Sequence, residues 1–449
     1  MTTTDQLQRV AGSERIASLD VIRGIAILFI LVMNIPWMGG YEFALWDFRY
    51  PTWTSADYWT TLVTKTWLEG TQRGLLELLF GAGIMIMARH AMTPDGPVAV
   101  ADLHYRRNLW LILFGLANAF VLLWPGDILL IYGIAAIFLF PFRRMGWKGQ
   151  LGFAGLLFGA LIWYGAADYR ANAAKLAKVE RVMAAEAAGK ALSEDDKTLL
   201  KERREQIERR TQMPADNVQQ KKKIAEADAA RHGDFVSYWR YQAEGWMFLM
   251  SQFFWFIEAE VAATMLVGMA LFRLGIIQGR ARTSAYVALL LGGYAVGLGL
   301  RGSQWLEILR FQPGQHWQDM FGDVARLAVT LGHVGLIHLI LRSAPGRALL
   351  RPFVAAGRMP LTVYLFTSLL MMWVVFAPWG LDWFGRFGMA KLALLALAVI
   401  AAELVAANLW MRRFENGPLE WLWKSLAYER RQPFRKIPRE PAAAIPAAV

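Results

Sequence analysis

Leu19-Asp20-Val21-Ile22-Arg23-Gly24 leads straight into Ile25-Ala26-Ile27-Leu28-Phe29-Ile30-Leu31-Val32-Met33-Asn34-Ile35-Pro36-Trp37-Met38. From Gly24 onward only Asn34 is polar, and Ile16 to Met38 has the length of a bilayer-crossing helix, about 17–25 residues. A charged pair therefore enters a membrane helix where the bilayer resists it, at roughly 2.5–3.5 kcal/mol per charge on insertion scales. Asp20 and Arg23 are three residues apart and share one helix face, so the carboxylate offsets part of the cost of the guanidinium. Two readings of Arg23 follow: an anchor that snorkels to the headgroups, or a charge retained for function.

The rest of the chain continues this pattern. In 449 residues, 56% are hydrophobic, 19% are charged and 20 are tryptophan, which excludes an ordinary soluble protein of this size. Apolar stretches run Ile16–Met38, Gly74–Ala88, Leu109–Trp124, Ile128–Phe142, Leu151–Gly165, Trp246–Leu271, Ala285–Leu300, Ala325–Leu341, Leu361–Phe376 and Lys391–Met411. The expected fold is all-α, a polytopic membrane helix bundle of about ten spans. A tight Trp124-Pro125-Gly126-Asp127 turn joins the third and fourth.

Every second loop is basic: Arg89, Arg106 and Arg107, then Arg143, Arg144 and Lys148, then Arg273, Arg280 and Arg282, then Arg342, Arg347, Arg351 and Arg358. The opposite loops hold little beyond Arg49, Lys65, Arg301, Arg310 and Arg386. The positive-inside rule then places both termini in the cytoplasm. The formal charge of +12 is thereby a topological signal, and no basic patch interleaved with aromatics points to nucleic acid. The absence of cysteine excludes disulfides, thiol catalysis and cysteine-based metal sites. The first apolar run has no Ala-x-Ala-like end and reads as a retained span.

Four regions are expected: residues 1–167 with five spans, a charged helical insertion at 168–240 on the periplasmic side, residues 241–423 with five more spans, and a basic cytoplasmic tail at 424–449. Within the insertion Ser193 reads as an N-cap with Asp196 at the third helical position. Gly189 and Pro214 read as breaks. The insertion is a solvated spacer or a docking arm. Residues 303–320 have the mixture of an interfacial amphipathic helix up to Pro313, and 433–449 the composition of a disordered tail.

Intramembrane polar residues are where chemistry is sought: Asn34, Glu77, Asn118, Glu258, Glu260, His333, His338, Tyr364, Glu403 and Asn408. His333 and His338 are five apart and share no face, so no metal site is expected. Either alone is a general base or an interhelical hydrogen-bonding group. Glu258 and Glu260 flank opposite sides of one helix, which weakens a paired-carboxylate mechanism. Asp57 and Glu69 sit by the outer mouth of the first two spans as acids or bases. Asp127 either caps the fourth span or points into a pore.

Several blocks resemble a known family. Leu19-Asp20-Val21-Ile22-Arg23-Gly24 with Asn34-Ile35, Leu79-Phe80-Gly81-Ala82-Gly83, and Trp124-Pro125-Gly126-Asp127-Ile128-Leu129-Leu130-Ile131-Tyr132-Gly133 are similar to the YeiB-like family, domain of unknown function 418. Gly357-Arg358-Met359-Pro360-Leu361-Thr362-Val363-Tyr364-Leu365 and Phe414-Glu415-Asn416-Gly417-Pro418-Leu419-Glu420-Trp421-Leu422-Trp423 extend the resemblance over nearly the whole chain. That family is grouped with transmembrane acyltransferases. The resemblance implies a bacterial inner-membrane protein that takes acyl-CoA, acetyl-CoA above all, from the cytoplasm and modifies an acceptor on the far side. Asp20, Arg23, Arg106, Arg107 and Arg358 would then bind the CoA phosphates. Asn34, Asn118, Asp127, Tyr132 and Tyr364 would line the path, and Asp57, Glu69 or His333 would deprotonate the acceptor. Two departures stand out. Asn118 in Gly115-Leu116-Ala117-Asn118-Ala119 replaces a histidine of many relatives, and the outer histidine of heparan-type relatives has no counterpart around Arg49 to Trp53. The competing class is a transporter or flippase in which the same polar residues carry a solute or a proton. Lipids are expected partners, nucleic acid is not, and a homo-oligomer is left open.

Overall fold

The computed structural model describes residues 17–41, 55–88, 98–211, 218–309 and 316–436. Arg49, Trp53, Arg89, Pro214, Arg310, Pro313 and the tail beyond 436 lie outside the described residues. The described residues are helical apart from turns and one isolated bridge between Phe414 and Arg435. In chain order the helices are α1 (Ala17–Gly39), α2 (Ala56–Val63), α3 (Thr71–Met87), α4 (Val98–Phe120), α5 (Leu129–Leu139), α6 (Trp147–Ala187), α7 (Glu194–Thr211) and α8 (Val218–Arg231). Then follow α9 (Phe235–Arg273), α10 (Thr283–Leu309), α11 (Gly322–Arg342), α12 (Ala344–Leu350), α13 (Phe353–Arg358), α14 (Pro360–Leu369), α15 (Met389–Arg413) and α16 (Pro418–Ala427).

Each apolar stretch named above overlaps a helix. Among the described residues, six helical segments are long and apolar enough to cross a membrane: α1, α6, α9, residues 283–304 of α10, Trp317–Arg342 and α15. Of the others, α3 has 17 residues and α5 has 11. α4 carries Asp102, Arg106 and Arg107, and α14 is prolonged by a wider turn through Val375. We call the end of the bundle where α1 starts the near face and the opposite end the far face.

The helices differ in depth. The apolar window of α1 is 67% buried against 11% for α10, so α1 is central and α10 turns its side chains outward. α1 owes this position to close helix crossings. A Cβ on Gly24 would collide with the Phe353 carbonyl, and one on Gly357 with the Asp20 carbonyl. α3 and α9 cross in the same way, because Gly81 lies against the Met265 carbonyl and Gly268 against that of Leu78. Small residues at a crossing let two backbones touch, which is how helices associate where lipid removes the hydrophobic drive.

The insertion is built from helices that continue out of the bundle. α6 and α9 run unbroken through residues 167 and 240. α7 folds back on α6 over Val179, Val182 and Leu200, with exposed pairs Lys175–Glu202 at 2.9 Å and Arg204–Glu186 at 2.7 Å. Ser193 accepts from the Asp196 amide at 3.2 Å and donates to its carboxylate at 2.8 Å, the expected cap. α6 ends just before Gly189, which has a positive φ of 69°. α8 returns to the bundle and is clamped there. Arg231 is 1% exposed, and its guanidinium donates to the Phe376 carbonyl and lies 3.6 Å over the Phe384 ring.

Candidate functional site

Two cavities enter the bundle from opposite faces. The near cavity, about 250 Å³, has a basic mouth of Arg23, Arg107, Arg358 and Lys424, with Glu420 and Trp423 beside them. Its walls are apolar, from Ile27, Leu76, Leu79, Phe80, Ile84 and Leu111, and its floor is Ile128, Tyr132 and Tyr364. The far cavity, about 400 Å³, is polar, with Asn34, Glu69, Gln72, Arg73, Gln304, Gln318, Arg301 and Arg326 on its walls.

Ile128 lines both cavities. The Tyr132 hydroxyl, on the near floor, donates to the Arg73 carbonyl at 3.0 Å. Arg73 lines the far cavity, so a septum about one side chain thick separates the two.

The near mouth is assembled from distant segments. Arg23 donates to Asp20 at 3.2 Å and to the Gly357 carbonyl at 3.3 Å. Arg107 lies 4.5 Å over the Trp423 ring, whose indole donates to the Arg107 carbonyl at 2.8 Å. Arg358 donates to the Glu415 carbonyl at 3.1 Å. Glu420 accepts from the Leu361 amide at 2.6 Å and the Thr362 hydroxyl at 2.6 Å, which caps α14 from α16. Arg106 points elsewhere: it pairs with Asp102 at 2.5 Å and Glu429 at 2.9 Å, in a groove with Trp110 and Trp421.

The septum rests on two buried polar clusters. In one, Asn118 donates to Asp127 at 2.8 Å and Asp127 accepts from the Leu130 amide at 3.0 Å, so Asp127 caps α5. Tyr364 accepts from the Ile128 amide at 3.4 Å. Asn118, Asp127, Tyr132 and Tyr364 are thus brought together, while Asn34 belongs to the far cavity.

The other cluster joins α3, α9 and α11. Arg73 pairs with Glu260 at 2.5 Å and Glu77 at 3.2 Å. Arg326 pairs with Glu77 at 3.0 Å and also with Glu260, and donates to Thr264 at 3.1 Å. Two cations and two anions cancel, which is what makes four charges tolerable at this depth.

The three expected acceptor-side bases have different fates. Glu69 lines the far cavity and pairs with Lys65 at 2.6 Å. Asp57 accepts from the Ala390 amide at 2.7 Å and so caps α15 rather than facing a cavity. His333 sits between α10, α11 and the turn before α3, bonded to the Tyr294 hydroxyl at 2.7 Å and the Trp67 carbonyl at 3.0 Å. Neither Asp57 nor His333 lines either cavity.

Arg73 and Arg326 were not among the sequence candidates. Their signal was present: Arg73 stands four residues before Glu77, a helical ion-pair spacing, and Arg326 interrupts the apolar run that begins at Ala325. No group of three or more His, Asp or Glu among the described residues is placed to hold a metal ion.

A family model described as "Protein of unknown function (DUF418)" matches residues 271–430, which take in the Gly357–Leu365 and Phe414–Trp423 blocks. The uncharacterized protein YxaH of Bacillus subtilis is 26% identical over 439 residues, 96% of this chain and 98% of YxaH. The uncharacterized protein YeiB of Escherichia coli is 24% identical over 421 residues, 92% of this chain and 96% of YeiB. No solved structure matches. With its apolar helices, the chain is a membrane protein that matches the DUF418 model over residues 271–430 and is similar over nearly its whole length to the bacterial proteins YxaH and YeiB.

Proposed function

We propose that this protein is an acyltransferase of the bacterial inner membrane that moves an acyl group, acetyl above all, from acyl-CoA on the cytoplasmic side to an acceptor on the other. The observation that carries this reading is the pair of opposed cavities with Ile128, Tyr132 and Arg73 between them. The basic loops favour the near face as cytoplasmic. A cavity of about 250 Å³ is small for a whole cofactor. The nucleotide therefore stays at the mouth, its phosphates against Arg23, Arg107 and Arg358, and only the pantetheine arm enters. The apolar walls suit that arm and end at the septum.

Transfer then takes place at the septum. Once the septum side chains part, an acceptor hydroxyl or amine in the far cavity attacks the thioester carbonyl carbon. A C–O or C–N bond forms, the C–S bond breaks and CoA leaves as the thiolate, which takes a proton from water. Glu69, the carboxylate of the far cavity, receives the acceptor's proton and releases it to water, and the guanidinium of Arg73, which lines the same cavity, would stabilise the developing oxyanion.

The test is calorimetric titration of acetyl-CoA into the full-length protein in lipid nanodiscs, with Arg107→Ala and free CoA in parallel. Micromolar binding that the variant weakens at least tenfold supports the reading. Folded protein that binds neither ligand removes it. Transport is the second reading, favoured by the charge-neutral Arg–Glu cluster between the cavities. It predicts flux of an unmodified solute through proteoliposomes without thioester consumption.

A further inference from the structure

The near cavity contains a buried histidine that neither the acyl-transfer reading nor the family description uses. His104, on α4, is 1% exposed and lines the cavity one helical turn from Arg107. Its ring stacks on Phe140 with centroids 4.3 Å apart. Its Nε2 lies 2.9 Å from the Ala136 carbonyl oxygen. A carbonyl only accepts, so Nε2 carries the proton and the neutral ring leaves Nδ1 as a lone pair. The Asn108 amide nitrogen, 3.1 Å from Nε2, gives one of its two N–H groups to the His104 carbonyl at 2.8 Å; an Nε2 lone pair that took the other would face the Ala136 oxygen, so the protonated Nε2 is the favoured form. Nδ1 is buried and has no hydrogen-bond partner among the described residues. A buried acceptor left unpaired is costly, and a ligand that brings an N–H relieves that cost.

We infer that His104 Nδ1 is the acceptor for an amide N–H of the donor's pantetheine arm, which makes it a donor-recognition residue of the near cavity. This rests on the acyl-CoA reading. The arm passes from the basic mouth to the septum, and in a cavity walled by Ile27, Leu79, Ile84 and Leu111 a single fixed acceptor orients an amide chain. Phosphates bound at Arg23, Arg107 and Arg358 do not need His104. The nucleotide end and the arm are therefore separately testable.

Acetyl-CoA and adenosine 3′,5′-bisphosphate, which lacks the arm, are titrated into the full-length protein in nanodiscs. His104→Phe keeps the ring stack and removes the acceptor, and His104→Gln restores an acceptor and a donor. The expected result is about tenfold weaker acetyl-CoA binding for His104→Phe, unchanged bisphosphate binding, and His104→Gln within about threefold of the unaltered protein. Unchanged acetyl-CoA affinity, or equal loss for both ligands, overturns the assignment. In the unaltered protein the 15N resonance of His104 Nδ1 should move with acetyl-CoA and stay still with the bisphosphate. A resonance that stays still with both overturns it without any variant. If the unaltered protein binds neither ligand, the acyl-CoA reading itself falls.

Discussion

Arg326→Met tests whether the charges at the septum act as one unit. Arg326 is 5% exposed and holds Glu77, Glu260 and Thr264. Methionine keeps much of the length and removes the charge, so Glu77 and Glu260 are left to share Arg73 alone. One uncompensated negative charge then remains buried. Breaking a buried pair in this way costs about 3–5 kcal/mol. Glu260→Gln alone leaves the opposite imbalance and should also destabilise. Arg326→Met/Glu260→Gln retains the neutral Arg73–Glu77 pair, and should recover more than half of the loss. The double-mutant cycle, read as unfolding free energies in mixed micelles, should give a coupling of at least about 2 kcal/mol, the recovered part of the Arg326→Met loss plus the cost of Glu260→Gln alone. Additivity to within about 0.5 kcal/mol would refute the idea that neutrality, rather than four separate contacts, holds the cluster together.

Two further substitutions test other assignments. Asp57→Ala should cost about 1 kcal/mol through loss of the α15 cap and leave the acetyl-CoA affinity unchanged; a large loss of transfer at unchanged stability would restore Asp57 as a base. Gly357→Ala drives a Cβ into the Asp20 carbonyl, so α1 and α13 must separate. The yield of folded protein should fall sharply, measured by size-exclusion chromatography, and a monodisperse variant of unchanged melting temperature would refute the contact.

The helices were legible because apolar run length is a one-dimensional property. α1, α11 and α15 lie within a few residues of the stretches read for them, whereas α9 starts well before Trp246. The cap at Ser193 was legible for the same reason, since donor and acceptor are three residues apart. Partners far apart in sequence were not. Nothing in the neighbourhood of Asp57 points to the Ala390 amide, and nothing near Arg326 points to Glu260 on another helix. The insertion read as a projecting spacer because its composition is polar. Arg231 at its end is nonetheless buried, since the aromatic ring of Phe384 and the Phe376 carbonyl receive it.

Three of the blocks that carry the family resemblance, Leu19–Gly24, Gly357–Leu365 and Phe414–Trp423, form one spatial unit. Gly24 and Gly357 allow α1 and α13 to touch, and that approach places the Gly357 carbonyl within 3.3 Å of the Arg23 guanidinium. Arg358 follows Gly357 directly, so one crossing of small residues delivers two arginines, 335 positions apart, to a single cavity mouth. The Phe414–Trp423 block completes the mouth, because Glu420 caps α14 and Trp423 lies beneath Arg107. Glycine and arginine therefore recur together in these motifs for a joint physical reason. The glycine sets the helix separation, and the separation sets whether the guanidiniums converge. A wider crossing would leave each arginine to snorkel alone, as a topological charge with no site. The convergence of the guanidiniums favours the functional reading of Arg23 over the anchor.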